Sequence, residues 1–387
     1  MKLPSWAANG ALVVFSIVLS FGAAEGIARV FYDLPSPYAI EPGLLSWDTR
    51  GAWTLSPGQR GVMDNKIDFS GKVVTVDERG VRLTPAARGL PETARRIFLI
   101  GDSQTFGWGL ADGETWANHL QKALLSGGKP YKVENLGVPA INIDQYFARL
   151  KALYLGSIMP SDLVVVSLTW NDLHTFQDDR VVAAARKAAP SAPGAERAGL
   201  TARVSDPETV YNPPTWRYRF YTSSGIFIPS FDGAENFLKS CQSTLALCYI
   251  LTPYLRSAYY FLRGSSGPFA KIPAKTFENN FLILKEMARL IEARGAIMIV
   301  NLLPNRVFFD DGYYRAYSAG GSVFPARDFM GYVAGPYCKK FALKCIDAFP
   351  VLKTERKDKY SFAFDGHYNE QAAVLIGNFV AREIGGL

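Results

Sequence analysis

The sequence FLIGDSQTFGWG, residues 98–109, decides the fold of this chain. The four apolar residues 97–100 predict a buried strand of a parallel sheet, and Gly-Asp-Ser at 101–103 follows at its carboxyl end. In open α/β sheets, ligands bind at this end of the strands. Apolar positions recur at helical spacing over 115–125, so Ser103 is predicted to lie on a sharp strand-to-helix turn, which a glycine permits.

Further apolar runs alternate with amphipathic segments along the chain. They predict core strands at 132–135, 163–168 and 296–303, with a fifth at 344–347. The chain has 387 residues, 48% of them hydrophobic and 20% charged, so it is globular and long enough to bury a large core. We therefore predict an α/β fold, a three-layer α/β/α sandwich around a mostly parallel sheet.

Histidine is the usual base that removes the proton of a serine nucleophile near neutral pH, and the chain has 3 histidines. His119 lies within the helix predicted after Ser103, which favours a packing or surface role, whereas His174 could line the site. His367 has Asp365 two residues before it, and this carboxylate could orient and charge-stabilise the imidazole. A solvated turn that caps the next helix is the alternative.

Four short blocks, in this order, resemble the motif blocks of the SGNH/GDSL hydrolase superfamily. They are Gly-Asp-Ser at 101–103, NLGVPAIN at 135–142, VVVSLTWND at 164–172 and FDGHYNEQAA at 364–373. The similarity spans about residues 75–385, and VDERGVRLTP at 76–85 resembles the lead-in of membrane-anchored members. The resemblance implies a flavodoxin-like SGNH hydrolase fold and serine hydrolase chemistry.

The resemblance also implies roles for individual residues. Ser103 is the expected nucleophile, His367 the base and Asp365 the orienting acid. The expected oxyanion-hole donors are the backbone N–H groups of Ser103 and Gly137 and the side-chain amide of Asn171. Such donors stabilise the charge that develops on the carbonyl oxygen, by roughly 2.7–4 kcal/mol each.

The last block departs from the common form of the family in its spacing. Two residues commonly separate the Asp from the His, whereas Gly366 alone separates Asp365 from His367. Periplasmic polysaccharide-acetylation proteins of the same superfamily carry a similar Asp-x-His. Asp102 adjoins the nucleophile, so we expect its carboxylate to cap the turn or the helix, and with His174 it is a candidate substrate-binding residue.

The amino terminus predicts attachment to a membrane. Residues 7–24 contain no charge and nearly reach the ~20 residues that span a bilayer. Because Lys2 precedes them, the positive-inside tendency places the start of the chain in the cytoplasm and the rest outside it. We predict a single-pass anchor in the inner membrane with a periplasmic catalytic domain. Cleavage as a signal peptide near 22–24 and a buried core helix are the alternatives.

The sequence divides into three predicted regions. Residues 1–33 form the anchor or signal segment, and 34–94 form a linker and a small β-rich extension with a strand at 72–76. Residues 95–387 form the SGNH hydrolase domain, which an insertion interrupts at about 178–277. The first part of the insertion is rich in alanine and basic residues, and its later part is aromatic.

The four cysteines form two pairs of equal spacing, and neither pair has zinc-site spacing. An exported domain permits disulfides. Cys338, on a predicted helix, could meet Cys345 at the start of the next strand. Cys241 and Cys248 could meet only if no continuous helix joins them, since seven helical residues span roughly 10.5 Å. Free buried cysteines are the alternative for both pairs, and we expect neither a metal nor a cofactor.

The formal net charge of +7 suits an anionic membrane surface or an acidic polymer, and the sequence contains no basic helix or RNA-recognition motif that would indicate nucleic-acid binding. The first functional hypothesis is a serine esterase that removes an acyl group, acetyl in the first place, from a carbohydrate or lipid outside the cytoplasmic membrane. The second is an O-acyltransferase for a polysaccharide, partnered by a membrane-bound O-acyltransferase. The third is a non-catalytic accessory subunit. The first two share every residue named above.

Overall fold

The computed structural model describes residues 5–31, 39–41, 43–47, 53–65, 68–174, 183, 185, 247, 251, 274–311, 330–353, 359–363 and 365–386. The helices and strands, in chain order, are α1 Ser5–Phe31, β1 Leu45–Trp47, β2 Trp53–Leu55, β3 Arg60–Met63, β4 Lys72–Thr75, β5 Arg96–Ile100, α2 Ser103–Phe106, α3 Trp116–Ser126, β6 Lys132–Asn135, α4 Ile143–Arg149, β7 Leu163–Leu168, α5 Trp170–His174, α6 Ala274–Glu292, β8 Ile297–Leu302, α7 Arg306–Phe309, α8 Gly335–Lys340, β9 Cys345–Asp347, α9 Phe349–Leu352 and α10 Glu370–Ile384. Most of the predicted insertion, with Cys241 and Cys248, lies outside the described residues.

Five parallel strands form the central sheet, in the order β6-β5-β7-β8-β9. The chain passes from β5 to β6 on one side and then returns to β7 on the other. The carboxyl end of β5 is therefore the place where the strand order reverses, which is the usual ligand site of such sheets. The predicted α/β fold is confirmed, and each predicted core strand lies within one residue of its observed bounds.

Helices cover both faces of this sheet, because its central strands β5 and β7 carry buried apolar side chains on both faces. In β5, Ile97 and Leu99 belong to a buried cluster that includes residues of α3 and α10. Phe98 and Ile100 belong to the opposite cluster, with residues of α4 and α6. The three-layer α/β/α arrangement predicted from the sequence is thus present.

The β-rich segment before the core consists of two antiparallel hairpins, β1 with β2 and β3 with β4. Its end packs directly on the core, because the Arg82 N–H donates to the Asn135 carbonyl oxygen at the tip of β6 over 3.1 Å. The fully buried Arg82 guanidinium donates to the carbonyl oxygens of Phe106 and Gly107 over 2.6 and 2.9 Å. Burial lowers the pKa of Arg82 to about 10, although Asp112 opposes this shift.

Helix α1 stands apart from the core in its exposure. Its segment Leu12–Val30 is long and apolar enough to cross a membrane, a property that signal sequences share. Leu12 and Val30 are 65% and 78% exposed, unlike the apolar side chains of a core helix. The helix could therefore serve as a membrane span or as a signal sequence.

A disulfide joins Cys338 in α8 to Cys345 at the start of β9, with 6.2 Å between the two Cα atoms. The bond links α8 to β9, which is an edge strand of the central sheet.

Candidate active site

The turn after β5 brings one hydroxyl to the surface of an otherwise buried stretch. From Ile97 to Leu110, Ser103 and Trp108 are the two residues that are not fully buried. Ser103 is the first residue of α2, and the Asp102 carboxylate caps this helix by accepting from the Gln104 N–H over 2.9 Å. As the first helical residue, Ser103 has a backbone N–H without an intrahelical partner.

The loop before α10 carries an acid and a base to the same place. His367 Nε2 lies 2.8 Å from Ser103 Oγ. On the other side of the ring, His367 Nδ1 makes a short hydrogen bond with Asp365 Oδ1. The His367 backbone N–H donates to the same carboxylate oxygen over 3.2 Å. The structure thus brings the side chains of Ser103, His367 and Asp365 together in one hydrogen-bonded series.

The electrostatics of the pair favour a charged carboxylate beside a basic imidazole. Burial lowers the pKa of His367, but the charge and hydrogen bond of Asp365, with a further contribution from Asp102, raise it above its ordinary value of 6.5. Burial raises the pKa of Asp365, but the charge and hydrogen bonds of His367 outweigh this and leave the pKa below 3.8. The carboxylate therefore stays ionised at neutral pH.

An aromatic residue that the sequence analysis missed completes this group. Trp108 Nε1 donates to Asp365 Oδ2 over 3.3 Å, and the ring centroids of Trp108 and His367 lie 5.9 Å apart. Gly107 and Gly109 flank it with φ angles of +89° and +78°. The Gly-Trp-Gly triplet is the sequence pattern that could have predicted this position. Two glycines tolerate positive φ, so the chain can turn sharply on both sides of Trp108 and direct its indole toward the site.

Asp102 is buried and bonded within the protein. It is 2% exposed, and its Oδ2 accepts from Thr169 Oγ1 and from Asn171 Nδ2, both over 2.9 Å. Its carboxylate thus caps α2, as expected, and also holds the Asn171 amide beside the nucleophile turn. This buried carboxylate bonds to its protein partners, and its contact with substrate stays a prediction.

Asn171, in α5 after β7, is fixed by a buried polar network. Its Nδ2 faces the Asp102 carboxylate, which can only accept, and this assigns the two ends of the amide; its Oδ1 lies 2.7 Å from Thr169 Oγ1. Behind it, Asp172 Oδ2 accepts from the Thr169 N–H and Asp172 Oδ1 accepts from Tyr146 Oη, over 2.8 and 2.7 Å. Burial, and then the charge of Asp102, raise the pKa of Asp172 well above its ordinary value.

Gly137 supports the site through its missing Cβ. A Cβ at this position would lie 2.3 Å from the Phe106 nitrogen, so only glycine permits this approach to α2. Its N–H donates to Asn135 Oδ1 over 3.0 Å, and its role as an oxyanion donor stays a prediction. Ala140, exposed at the tip of the same loop, has a φ of +61°, an uncommon conformation for a residue with a Cβ.

The other two histidines lie outside this group. His119 packs where α3 meets α10, because Gly377 approaches its Cβ closely. Burial lowers the pKa of His119, in agreement with the expected packing role. His174 ends α5, and its side chain lies outside the described structure. Within the described residues, no group of three or more His, Cys, Asp or Glu side chains could hold a metal ion.

Comparisons with known proteins give matches among solved structures only. No family model and no curated protein matches the chain. The chain is similar to a member of the lipolytic protein G-D-S-L family from Veillonella parvula DSM 2008, with 12% identity, 76% of this chain and 100% of that chain covered, and a TM-score of 0.39. It is also similar to the lipase/acylhydrolase from Enterococcus faecalis, with 13% identity, coverages of 76% and 96%, and a TM-score of 0.39. Likenesses at this level do not assign an activity, which has to come from the side chains described above.

Proposed function

We propose that this chain is a serine esterase of the SGNH/GDSL superfamily. The observation that carries the proposal is the contact of 2.8 Å between His367 Nε2 and Ser103 Oγ, with Asp365 on the far side of the imidazole. A non-catalytic accessory subunit would not need a base aligned with a partly exposed hydroxyl. The third hypothesis therefore has the least support.

The proposed reaction proceeds through an acyl-enzyme on Ser103. The Ser103 oxygen attacks the acyl carbonyl carbon while His367 Nε2 takes the hydroxyl proton. The tetrahedral intermediate expels the alcohol, which receives that proton from His367. A water molecule, deprotonated by His367, then attacks the acyl carbon and releases the carboxylic acid and the serine hydroxyl. Asp365 orients the imidazole and stabilises its charged form in both halves.

The oxyanion that forms in each half needs hydrogen-bond donors. We assign this role to the Ser103 backbone N–H and to the Asn171 side chain, whose position Asp102 and Thr169 fix. Donors held in place before the reaction need no reorganisation when charge develops, and this is the source of their effect on the rate.

The substrate class that we propose is an acetylated carbohydrate or lipid outside the cytoplasmic membrane. The exposed apolar helix α1 supports this location, and the Asp-x-His spacing, which resembles that of polysaccharide-acetylation proteins, supports an acetyl group. Transfer of the acyl group to a sugar hydroxyl would use the same residues, so the test needs an arm with an acceptor.

The test is hydrolysis of a chromogenic acetyl ester by the detergent-solubilised full chain, with and without an added oligosaccharide acceptor. We expect turnover by the wild type and none by Ser103→Ala, because only the nucleophilic oxygen is lost. A fluorophosphonate probe should label the wild type and leave this variant unlabelled. The matched control is Ser157→Ala, which removes a hydroxyl that donates to the Tyr154 carbonyl oxygen near the start of β5, at the opposite end of that strand from Ser103.

Equal hydrolysis by the wild type and Ser103→Ala would refute the esterase mechanism. Acetylated acceptor formed at the expense of free acetate would replace hydrolysis by transfer as the activity.

A further inference from the structure

The carboxylate that bonds to His367 lies on a short loop before α10. The residue pair is separated by Gly366 alone, and the Phe362 N–H donates to the His367 carbonyl oxygen over 2.8 Å, so the loop is a tight turn. The hydrogen bonds within this turn involve backbone groups and Asp365 Oδ1, and none of them involves the second carboxylate oxygen, Asp365 Oδ2. Contacts from elsewhere in the chain have to determine how the carboxylate faces the imidazole.

Two residues far from this loop in sequence make those contacts. Trp108 Nε1 donates to Asp365 Oδ2 over 3.3 Å. Asp68 Oδ2 accepts from the Asp365 backbone N–H over 2.6 Å. With the His367 bond to Oδ1, these contacts hold the backbone nitrogen and both carboxylate oxygens of Asp365.

The support behind Asp68 is itself ordered by hydrogen bonds. The Asn65 Oδ1 atom accepts from the backbone N–H groups of Asp68 and Phe69 over 2.9 and 3.1 Å. The Phe69 ring lies 5.2 Å from the Phe362 ring, centroid to centroid, on the loop that carries Asp365. A Cβ on Gly109 would come within 2.7 Å of the Phe69 ring, so the Trp108 turn packs on the same residue.

The support behind Trp108 comes from the same hairpin region. Arg82 donates to the carbonyl oxygens of Phe106, Gly107 and Leu110, which lie on both sides of Trp108. Its guanidinium also lies over the Phe106 ring, 4.4 Å from the centroid. Residues 65–82 thus contact both loops that meet at the acid.

We propose that Asp68 and Trp108 are positioning residues that hold Asp365 against His367, so that the segment before the catalytic core is a working part of the active site. This proposal rests on the proposed function for its effect on turnover. Its geometric part concerns the Asp365–His367 contact alone and is measurable without a substrate.

Charged groups around His367 determine how the test is designed. Asp365 and Asp102 both raise the pKa of the imidazole. Asp68 adds a carboxylate on the far side of Asp365, and Arg306 donates to the Phe362 and Ala363 carbonyl oxygens of the same loop. Asp68→Asn removes a charge but keeps an oxygen that accepts the Asp365 N–H, whereas Asp68→Ala removes both.

The first measurement is the pKa of His367 by NMR in the ¹⁵N-histidine-labelled full chain in detergent. Three histidines give three titrations, and the His119→Gln and His174→Gln variants assign them. We expect Asp68→Ala to lower the pKa of His367 because Asp365 is no longer held against the ring, and Asp68→Asn to restore most of the wild-type value. An unchanged pKa in Asp68→Ala, or an equal shift in the control Asp64→Ala, would overturn the proposal for Asp68.

The second measurement concerns Trp108 and also serves if Asp68→Ala fails to fold. Trp108→Phe keeps the ring and removes the N–H donor. We expect kcat for an acetyl ester to fall about tenfold with KM unchanged, because the lost bond goes to a charged group that acts in the transition state. The control Trp53→Phe, in β2, should leave kcat unchanged. In the wild type, the Trp108 indole N–H resonance should titrate together with His367.

A Trp108 resonance that does not follow the His367 titration would refute the role of Trp108. If the wild type neither hydrolyses esters nor reacts with a fluorophosphonate, the proposed function fails. The two NMR titrations still decide in that case whether Asp68 and Trp108 position Asp365.

Discussion

Gly366 allows an acid and a base to act from positions only two apart in the sequence. Its φ of +84° lies in the left-handed region, and an added Cβ would meet no atom within 4 Å. We expect Gly366→Ala to strain the backbone alone, by roughly 1–2 kcal/mol, and to move His367 away from Ser103 as the turn relaxes. Ester hydrolysis should fall by more than tenfold, a change in rate that corresponds to about 1.4 kcal/mol.

The matched control for this variant is Gly89→Ala. Gly89 has a φ of +80° and equally open surroundings, but it lies in the segment before β5. Both variants should lose similar free energy of unfolding, measured by denaturant titration, and only Gly366→Ala should lose activity. Equal activity in the two variants would show that the turn geometry does not limit catalysis.

On the proposed mechanism, the Asp365 carboxylate determines the pH range of activity. A base has to be neutral to take the Ser103 proton, so kcat/KM should rise with pH through the pKa of His367, which Asp365 raises above 6.5. In Asp365→Asn the imidazole loses this charge, so the rising limb should move to lower pH. The maximal rate should fall by roughly 10⁴, the loss seen where such an acid sets the imidazole tautomer.

The pH profile of Asp365→Asn, recorded beside that of His367→Ala, checks this prediction. Near-normal kinetics in the first variant with no activity in the second would mean a Ser–His dyad or the use of another acid. The role of Asp365 would then be withdrawn, and that of Ser103 would stand.

At the scale of elements, the helices and strands that depend on local sequence pattern could be predicted from the sequence. The apolar run in β5 and the helical spacing of α3 depend on neighbours in the chain, so their bounds came out within one residue. The contact between Asp68 and Asp365 joins positions 297 residues apart, and no periodicity encodes it. Gly137 shows a further limit, because its missing Cβ was correctly interpreted as allowing close approach, while its N–H was already bonded to Asn135.

The network between α4, β7 and α5 contains a buried carboxyl group, Asp172, whose pKa is raised by burial and by the charge of Asp102. The raised pKa of Asp172 means that its contribution to stability is fully present below the ordinary value of 3.8 and is lost as pH rises through the folded-state value. Asp172→Asn removes this dependence, since an amide does not titrate. The free energy of unfolding of Asp172→Asn, relative to that of the wild type, should therefore increase as pH rises above 3.8.

Denaturant unfolding at several pH values checks this difference, with Asp162→Asn as a control carboxylate that accepts from the Arg96 guanidinium. We expect Asp172→Asn to retain ester hydrolysis, because Asp102 and Thr169 still hold Asn171. A variant that becomes less stable relative to wild type as pH rises would contradict a raised pKa of Asp172.

At the scale of the whole molecule, two separate features point to export. Helix α1 presents apolar side chains to its surroundings, with Phe15 and Leu19 63% and 62% exposed. At the other end of the chain, a disulfide joins Cys338 to Cys345. Disulfides persist in oxidising compartments and are rare in the cytosol. An apolar helix at the amino terminus and a catalytic domain that carries a disulfide fit one topology, in which the domain lies outside the cytoplasm.

This topology predicts where the chain is found and on which side its carboxyl terminus lies. A reporter enzyme that folds only under oxidising conditions, fused after Leu387, should be active. The full-length chain should sediment with membranes, resist extraction by salt and dissolve in detergent, because an apolar span of ~20 residues partitions strongly into the bilayer.

Replacing Val14 and Val18 by Lys should release the chain into the soluble fraction and silence the reporter, since each central charge opposes insertion by about 2.5–3.5 kcal/mol. The control Ser16→Ala should change neither result. Recovery of the unaltered full-length chain in the cytosolic fraction would rule out the anchor, whereas an active reporter on a shortened, soluble exported chain would identify α1 as a cleaved signal sequence.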